Sequence, residues 1–417
     1  MLIGFVGLTH LGLCTMSSCL LKNHKAIGFA ESKKKINLDN SIFEQNLKNI
    51  LINKKKEYKL TNNIKDLNNC DFIYVSYDVP TNSKGVSKLK NITIKINFLI
   101  ENLIDEIPII ILSQVPPGFT RFFFKKKANI YYQVETLIFG SAIERALKPE
   151  RIIIGTNHKN TKISNKYNIY LKSFSCPIIR MNYESAEFTK IAINIYLISS
   201  VSVTNMLSNI SKSISSNWDD IKQALHLDKR IGKYAYLNPG LGLSGGNLER
   251  DLETINKITS KYSIENKFFK SYSKISIYSK NWPHRIFLKS IKEFNNIKNI
   301  GIMGLSYKKN TNSIKNSPSI LLIKKINNYC NKNNKIIKIK VYDPVVKNNI
   351  ISEKVIFMKT ISNLINNVDA LFILNEWDDF NIDAKKILKV SNIKFIADPF
   401  NMIKNPRILS CKYFDLK

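Results

Sequence analysis

The sequence predicts an α/β fold of two Rossmann-like doubly wound domains, joined by a long central helix and a helical dimerisation region. Three observations predict it. The chain opens with an apolar strand, a glycine-bearing turn and a helical segment, and a second α/β unit starts near Ile300. Apolar strands stop at polar, proline-rich turns, Tyr77–Thr81 and Ser113–Gly118. A helical pattern without Gly or Pro runs from Glu184 to about Ser211. A chain of 417 residues exceeds one ordinary core, and 44% hydrophobic content can fill more than one. The expected parts are residues 1–175, 176–295 and 296–417.

The first element is the apolar run of residues 2–7. Leu8-Thr9-His10-Leu11-Gly12 follow, then a helix to about Leu21 and a strand from Ala26 to Phe29. This is the opening of a dinucleotide-binding βαβ unit. Gly7 and Gly12 occupy the first and third glycine positions of its fingerprint, while Thr9 holds the middle one. A carboxylate normally receives the ribose hydroxyls about 20 residues on. Glu31 lies 19 residues past Gly12, one residue beyond the strand end at Ala30. The next strands, Asp71–Ser76 and Ile107–Leu112, deliver Thr81 and Ser113 to the carboxyl edge of the sheet, where such folds bind ligands. A loop then carries Glu135 and Leu137 towards Gly140 and Ala142, closing with Pro149, Arg151 and a strand to Gly155. By itself Glu135 reads as a solvated loop carboxylate, and it is the surrounding residues that favour a site role.

The helical pattern from Glu184 spans roughly 28 residues, a rod of about 40 Å. Lys190 and Asn194 stand four apart and share one face. Beyond it, Asn238–Asp251 holds four of the 15 glycines: Gly240, Gly242, Gly245 and Gly246. Glycine lets a backbone come close to a ligand and take positive φ. Asn247, Arg250 and Asp251 follow at once, which makes this either a substrate-wrapping loop or a flexible turn. Leu252–Phe294 reads as mostly helical, with a break at Pro283. A strand at Ile300–Met303 leads into Gly304–Pro318, which includes Lys308.

Taken together, these stretches resemble the UDP-glucose/GDP-mannose dehydrogenase family over roughly residues 1–402. The family's G-x-G-x-G-G-x-C-x-x-K-D loop is matched by Gly240, Gly242, Gly245 and Asp251. Ser244 replaces one glycine, Arg250 the lysine, and Asn247 the cysteine nucleophile. Its V-P-T and S-T-V-P-P-G turns are matched at Thr81 and Ser113. Its P-E-F-L-x-E-G-x-A loop is matched at Glu135, Leu137, Gly140 and Ala142, with Phe139 for the second glutamate. Its A-E-x-x-K-x-x-x-N helix supplies Lys190 and Asn194. Its G-L-(A/S)-(F/Y)-K segment supplies Lys308, and Val341–Pro344, Asn375–Phe380 and Asp398–Asn401 follow its later strand ends, with Phe400 in place of an arginine.

The resemblance implies an N-terminal NAD domain, a helical middle that dimerises and a C-terminal domain gripping a nucleotide sugar. It implies NAD contacts at Gly7, Thr9, His10, Leu11, Gly12, Glu31, Thr81, Ser113 and Arg250. It implies substrate contacts at Leu137, Gly242, Gly245 and Lys308, and a reacting centre of Lys190, Asn194, Asp251, Glu135 and Asn247. A carboxamide is not a nucleophile at neutral pH. Two readings follow: an oxidoreductase of cell-surface polysaccharide or nucleotide-sugar biosynthesis that works without the thiohemiacetal step, or a non-catalytic protein that binds NAD and a nucleotide sugar.

Composition narrows the remaining classes. The net charge of +32 suggests nucleic acid. However, 56 of the 64 basic residues are Lys, spread through the chain without a cluster on one element, so no nucleic-acid partner is expected. Cys14, Cys19, Cys70, Cys176, Cys330 and Cys411 show no metal spacing and no C-x-x-C pair. No metal and a reducing cytoplasm are expected. Neither a run of 18 uncharged apolar residues nor a signal-peptide pattern is present, so no membrane partner is expected.

Overall fold

The computed structural model describes residues 1–31, 44, 46–82, 86–294, 296–346, 354–366, 368–389 and 392–416. Its contacts divide the chain into two units, Met1–Ile193 and Asn194–Lys417. In the first, the order is β1 (Leu2–Val6), α1 (His10–Leu21), β2 (Lys25–Phe29), α2 (Leu47–Asn53), β3 (Tyr58–Thr61), β4 (Phe72–Val75), α3 (Lys90–Asn102) and β5 (Ile109–Ile111). Then come α4 (Phe119–Phe124), β6 (Ile130–Gln133), α5 (Ala142–Leu147), β7 (Ile152–Thr156), α6 (Asn165–Lys172), β8 (Ile178–Asn182) and the start of α7 (Tyr183–Ser213).

The eight strands lie in the order β3-β2-β1-β4-β5-β6-β7-β8. All neighbours are parallel except β6 and β7. Parallel strands are covered on both faces, so their sequences are continuously apolar. Side chains alternate between the faces. Ile3, Phe5, Phe72 and Tyr74 join one core with Leu13, Leu47, Ile143 and Tyr167. Their neighbours Val6, Ile73 and Val75 join another with Ile92, Ile96, Leu99 and Phe123. Helices α1, α2, α5 and α6 therefore cover one face, and α3 and α4 the other.

The second unit holds the rest of α7, then α8 (Trp218–Leu227), α9 (Asn247–Lys261), α10 (Lys267–Lys280), α11 (Trp282–Glu293), β9 (Asn299–Met303), α12 (Pro318–Lys332), β10 (Lys338–Tyr342) and β11 (Ile356–Phe357). It continues with α13 (Ile361–Ile365), β12 (Ala370–Ile373), β13 (Ile382–Asp383), α14 (Ala384–Leu388), β14 (Phe395–Ala397), β15 (Ile403–Lys404) and β16 (Lys412–Phe414). Six parallel strands run β11-β10-β9-β12-β14-β16, and β13 pairs β15 separately. The same alternation operates: Ile300, Ile302 and Phe372 pack with Phe287 and Leu322, while Met303, Leu371 and Ile373 pack with Leu364 and Ile387.

The expected break at Pro283 falls slightly earlier. The chain turns at Asn281, and Pro283 lies in the first turn of α11. Proline suits that position, because its missing N–H has no helical partner there. The long helix is 31 residues, and by length and composition it could cross a membrane. It also carries buried polar residues of the second unit. Asn194, Asn205 and Ser208 bond to Asp251, the Gly240 amide and the Leu416 carbonyl.

Candidate active site

In the first unit the glycine turn lies between β1 and α1. Gly7 has φ +95°, and a Cβ there would stand 2.7 Å from the Tyr77 nitrogen. A Cβ on Gly12 would strike the Gly7 carbonyl and come within 2.5 Å of the Ser76 hydroxyl oxygen. These two positions need glycine because the turn folds directly onto the end of β4. Thr9 has a different task from the glycine it replaces. It caps α1, accepting from the Gly12 amide at 3.5 Å and donating to the Ser76 carbonyl at 2.7 Å. The geometry suits an anion at the α1 N-terminus, as a pyrophosphate requires. Leu11 is half-buried against the adjoining core.

Glu31 pairs with Lys95, whose ammonium also sits 4.5 Å from the centre of the Tyr77 ring. Ser113 is buried, and its hydroxyl donates to the Tyr77 carbonyl at 2.7 Å. It ties the β4 and β5 ends together. Thr81 forms a short antiparallel bridge with Ser87.

The loop after β6 folds around Glu135. Its carboxylate accepts from the Leu137 amide and lies 4.0 Å from Lys190 on α7. Behind the loop is a cavity of about 60 Å³ whose lining includes Gln133, Glu135, Leu137, Arg145 and Arg151. Ahead of it, Glu44 accepts from the Gly140 and Ala142 amides at 2.9 and 2.8 Å and from His10 at 2.9 Å. Burial opposes charge on Glu44, but the bonds from His10, Gly140 and Ala142 outweigh it and hold the carboxyl below its usual pKa. His10 stacks on Phe139 with ring centres 4.2 Å apart. Cys14 completes a group with His10 and Glu44 whose ligand atoms lie within 4.8 Å. Burial, aided by Glu44 and Glu135, keeps that sulfur a thiol. Both Glu44 oxygens are engaged by N–H donors, so the group is a hydrogen-bonded network.

In the second unit, Asn194 on α7 donates to Asp251 on α9, and the two are 6% and 2% exposed. Arg250 lies 3.7 Å from the other Asp251 oxygen and is also buried. Asn247 begins α9, one turn before Asp251, and is exposed. The glycine loop before it is pinned rather than slack. Asn205 accepts from the Gly240 amide at 2.7 Å, the Ser276 hydroxyl accepts from the Leu243 amide at 2.9 Å, and the Lys315 carbonyl accepts from the Gly245 amide at 3.1 Å. Gly242 and Gly245 have φ +80° and +92°, and side chains there would meet Ser276 and Tyr307. Lys308 stands 5.8 Å from the Tyr307 ring centre.

The structure thus brings together Gly7, Thr9 and Gly12; Glu135 and Lys190; and Asn194, Arg250 and Asp251. It directs the Ser113 hydroxyl into the backbone. Three side chains that hold backbone amides around these residues carried no signal in the sequence. Glu44 and Ser276 act through backbone amides far away in sequence. Glu187 sat inside a matched motif without a role, and accepts from the Gly118 and Thr120 amides at 2.5 and 2.8 Å. Burial raises its pKa to about 7.

A doubly wound unit with a glycine turn, followed by a unit with a buried Asn–Asp pair beside a pinned glycine loop, is the build of a nucleotide-dependent oxidoreductase. Three consecutive domain models of one family match the chain: the NAD binding domain over residues 1–173, the central domain over 184–276 and the UDP binding domain over 301–405. The UDP-glucose 6-dehydrogenase of Rickettsia conorii is 26% identical over 354 residues, which is 82% of this chain and 79% of the relative. That of Campylobacter jejuni is 29% identical over 353 residues, 82% of each. The fold is that of the UDP-glucose dehydrogenase of Pyrobaculum islandicum, with a TM-score of 0.85 and 19% identity over 100% of this chain and 97% of that one. The UDP-D-ManNAc dehydrogenase of Pyrococcus horikoshii gives 0.83 and 20%, over 100% and 99%. The chain belongs to the UDP-glucose/GDP-mannose dehydrogenase family. It is an NAD-dependent oxidoreductase acting on a CH–OH group.

Proposed function

We propose that this protein oxidises a hydroxyl of a UDP- or GDP-sugar without a covalent thiohemiacetal, in cell-surface polysaccharide or nucleotide-sugar biosynthesis. The carrying observation is Asn247 at the head of a helix whose next turn bears the buried Asp251–Asn194 pair. NAD, when bound, takes up two electrons and one proton from the carbinol carbon. Asp251 relays the hydroxyl proton to water, while Lys190 and Asn194 hold the oxygen as it becomes a carbonyl. Glu135 orients the Lys190 ammonium. The product is the carbonyl compound, or the acid when an aldehyde hydrate undergoes a second two-electron step.

Gly7, Thr9, His10, Leu11, Gly12, Glu31, Thr81, Ser113 and Arg250 serve the cofactor. Leu137, Gly242, Gly245 and Lys308 serve the sugar nucleotide. Residues 1–175, 176–295 and 296–417 are the working parts, for cofactor, dimerisation and nucleotide sugar. The protein acts as a cytoplasmic homodimer. In support, Val203 and Ile210 of α7, Ile214 just after it and Ile277 of α10 are exposed, beside a largely apolar cleft lined by Met206, Ile275 and Tyr278. A patch of this kind marks an association surface.

A screen of UDP- and GDP-sugars with NAD, followed by absorbance of the reduced cofactor, tests the reading. At least one sugar is expected to give turnover, and Asp251→Asn should lower kcat about 100-fold. Two NAD consumed per sugar with a trapped thioester would overturn the non-covalent mechanism. NAD binding with no sugar oxidised would leave a nucleotide-sugar-binding protein instead.

A further inference from the structure

We propose that Glu44 and His10 are positioning residues that latch the Glu135 loop to the first turn of the cofactor helix, so that cofactor binding and loop order are coupled. The inference rests on the proposed function for its kinetic consequence, but not for its structural test.

The latch has four contacts that join three parts of the chain far apart in sequence. Glu44 accepts the Gly140 amide on one oxygen and the Ala142 amide on the other. Its side chain is only 1% exposed, so water does not compete for these bonds. His10 donates to the oxygen that also holds Gly140, because an ionised carboxylate can only accept. The His10 ring also lies against Phe139. Residues 139, 140 and 142 are thus held by one carboxylate and one imidazole.

The consequence falls on Glu135, four residues before Phe139. Its 4.0 Å approach to Lys190 depends on where the loop sits. Catalytic geometry is steep: about 1 Å of misplacement can reduce turnover on the order of 100-fold. His10 is the first residue of α1, the helix whose N-terminus suits a pyrophosphate. Anything that orders this turn therefore orders the loop through His10. Phe139 stands where the family pattern has a second glutamate. That exchange gives the imidazole a ring to stack on, so the latch is partly this chain's own.

Hydrogen exchange of the full-length protein tests the latch without catalysis. In the parent, NAD should slow exchange of the segment containing Gly140 and Ala142. Glu44→Ala should speed its exchange at least tenfold without NAD, and Phe139→Ala should abolish most of the NAD effect. Unchanged protection in a folded Glu44→Ala protein would overturn the proposal. If that variant does not fold, an undiminished NAD effect in Phe139→Ala does so instead. Kinetics add a second readout: Glu44→Ala should lower kcat at least tenfold and weaken NAD binding, as reciprocal coupling requires, with only partial recovery in Glu44→Gln, which keeps one of the two acceptor oxygens. An inactive parent with intact latch protection would count against the proposed function alone.

Discussion

The two sheets repeat one strand order around their central strands, β3-β2-β1-β4-β5 and β11-β10-β9-β12-β14, yet their first turns are built oppositely. After β1, small residues keep the turn tight and Thr9 caps a helix that starts at His10. After β9, the chain runs from Gly304 to Ser317 before α12 begins. There Asp343 fills the turn, accepting from the Leu305 and Ser306 amides at 2.7 and 3.0 Å and from Val345 and Val346 at 3.0 Å each. Asn375 closes the other side by donating to the Ser306 carbonyl at 2.9 Å. The same topology yields a helix end suited to an external anion in one unit. In the other, an internal carboxylate already occupies the turn amides. Topology places a ligand edge, and the turn residues decide what that edge binds.

The comparison can be broken most forcefully at Gly12. Gly12→Ala forces a clash with the Gly7 carbonyl, and calorimetry should show NAD affinity reduced more than 100-fold, or a protein that no longer folds. Asp343→Ala removes several buried acceptor bonds at once. It should lower unfolding free energy by roughly 3–5 kcal/mol in urea titrations, while leaving NAD affinity of any folded fraction intact.

Glu187 sharpens the comparison through pH. It is a buried carboxylate that also receives turn amides, in the first unit. Its folded-state pKa of about 7 exceeds the ordinary 4.5, so the folded protein holds this proton more tightly than the unfolded one. The sign follows: its contribution to stability is full below about pH 4.5 and declines as pH rises towards 7. The decline is up to about 3 kcal/mol. Melting temperatures from pH 5 to 8 should fall more steeply for the parent than for Glu187→Gln.

Asn247→Cys gives a smaller, chemical effect. A thiol at the exposed head of α9 gains from the helix N-terminus. Burial instead pushes Cys19 and Cys70 up to about 12. Iodoacetamide should therefore label position 247 first, as peptide mapping would show. Glu31→Gln is the mildest change. Glu31 is exposed and paired with Lys95, so NAD affinity should fall only about two- to fivefold.

Much of the fold was legible because parallel strands are apolar throughout and helices carry their own start signals. The runs at Leu2–Val6, Phe72–Val75 and Ile300–Met303 fall where the sequence predicts them. The long helix, expected from Glu184 to about Ser211, runs from Tyr183 to Ser213. The break expected at Pro283 falls two residues earlier, at Asn281, with Pro283 in the first turn of α11. Within the site, Asn194 and Asp251, and Glu135 and Lys190, were named from motifs and lie in contact, but the side chains that pin their loops were not legible. Nothing local marks Glu44 as the acceptor for Gly140, 96 residues away. Nothing marks Ser276 as the anchor of Leu243. Backbone amides look identical in every sequence, so a side chain that binds one leaves no pattern.

By itself, then, the sequence determined the α/β class, the opening strand–turn–helix–strand unit, the long helix and the family. These depend on local apolarity, spacing and residue identity, which a string of letters carries. Only the tertiary structure decided that Thr9 is a cap, that Asn194 meets Asp251, and that Asp343 fills the second turn while the first keeps its glycines. Those facts depend on which distant groups share a few ångströms, and hydrogen bonding and burial act over that distance alone.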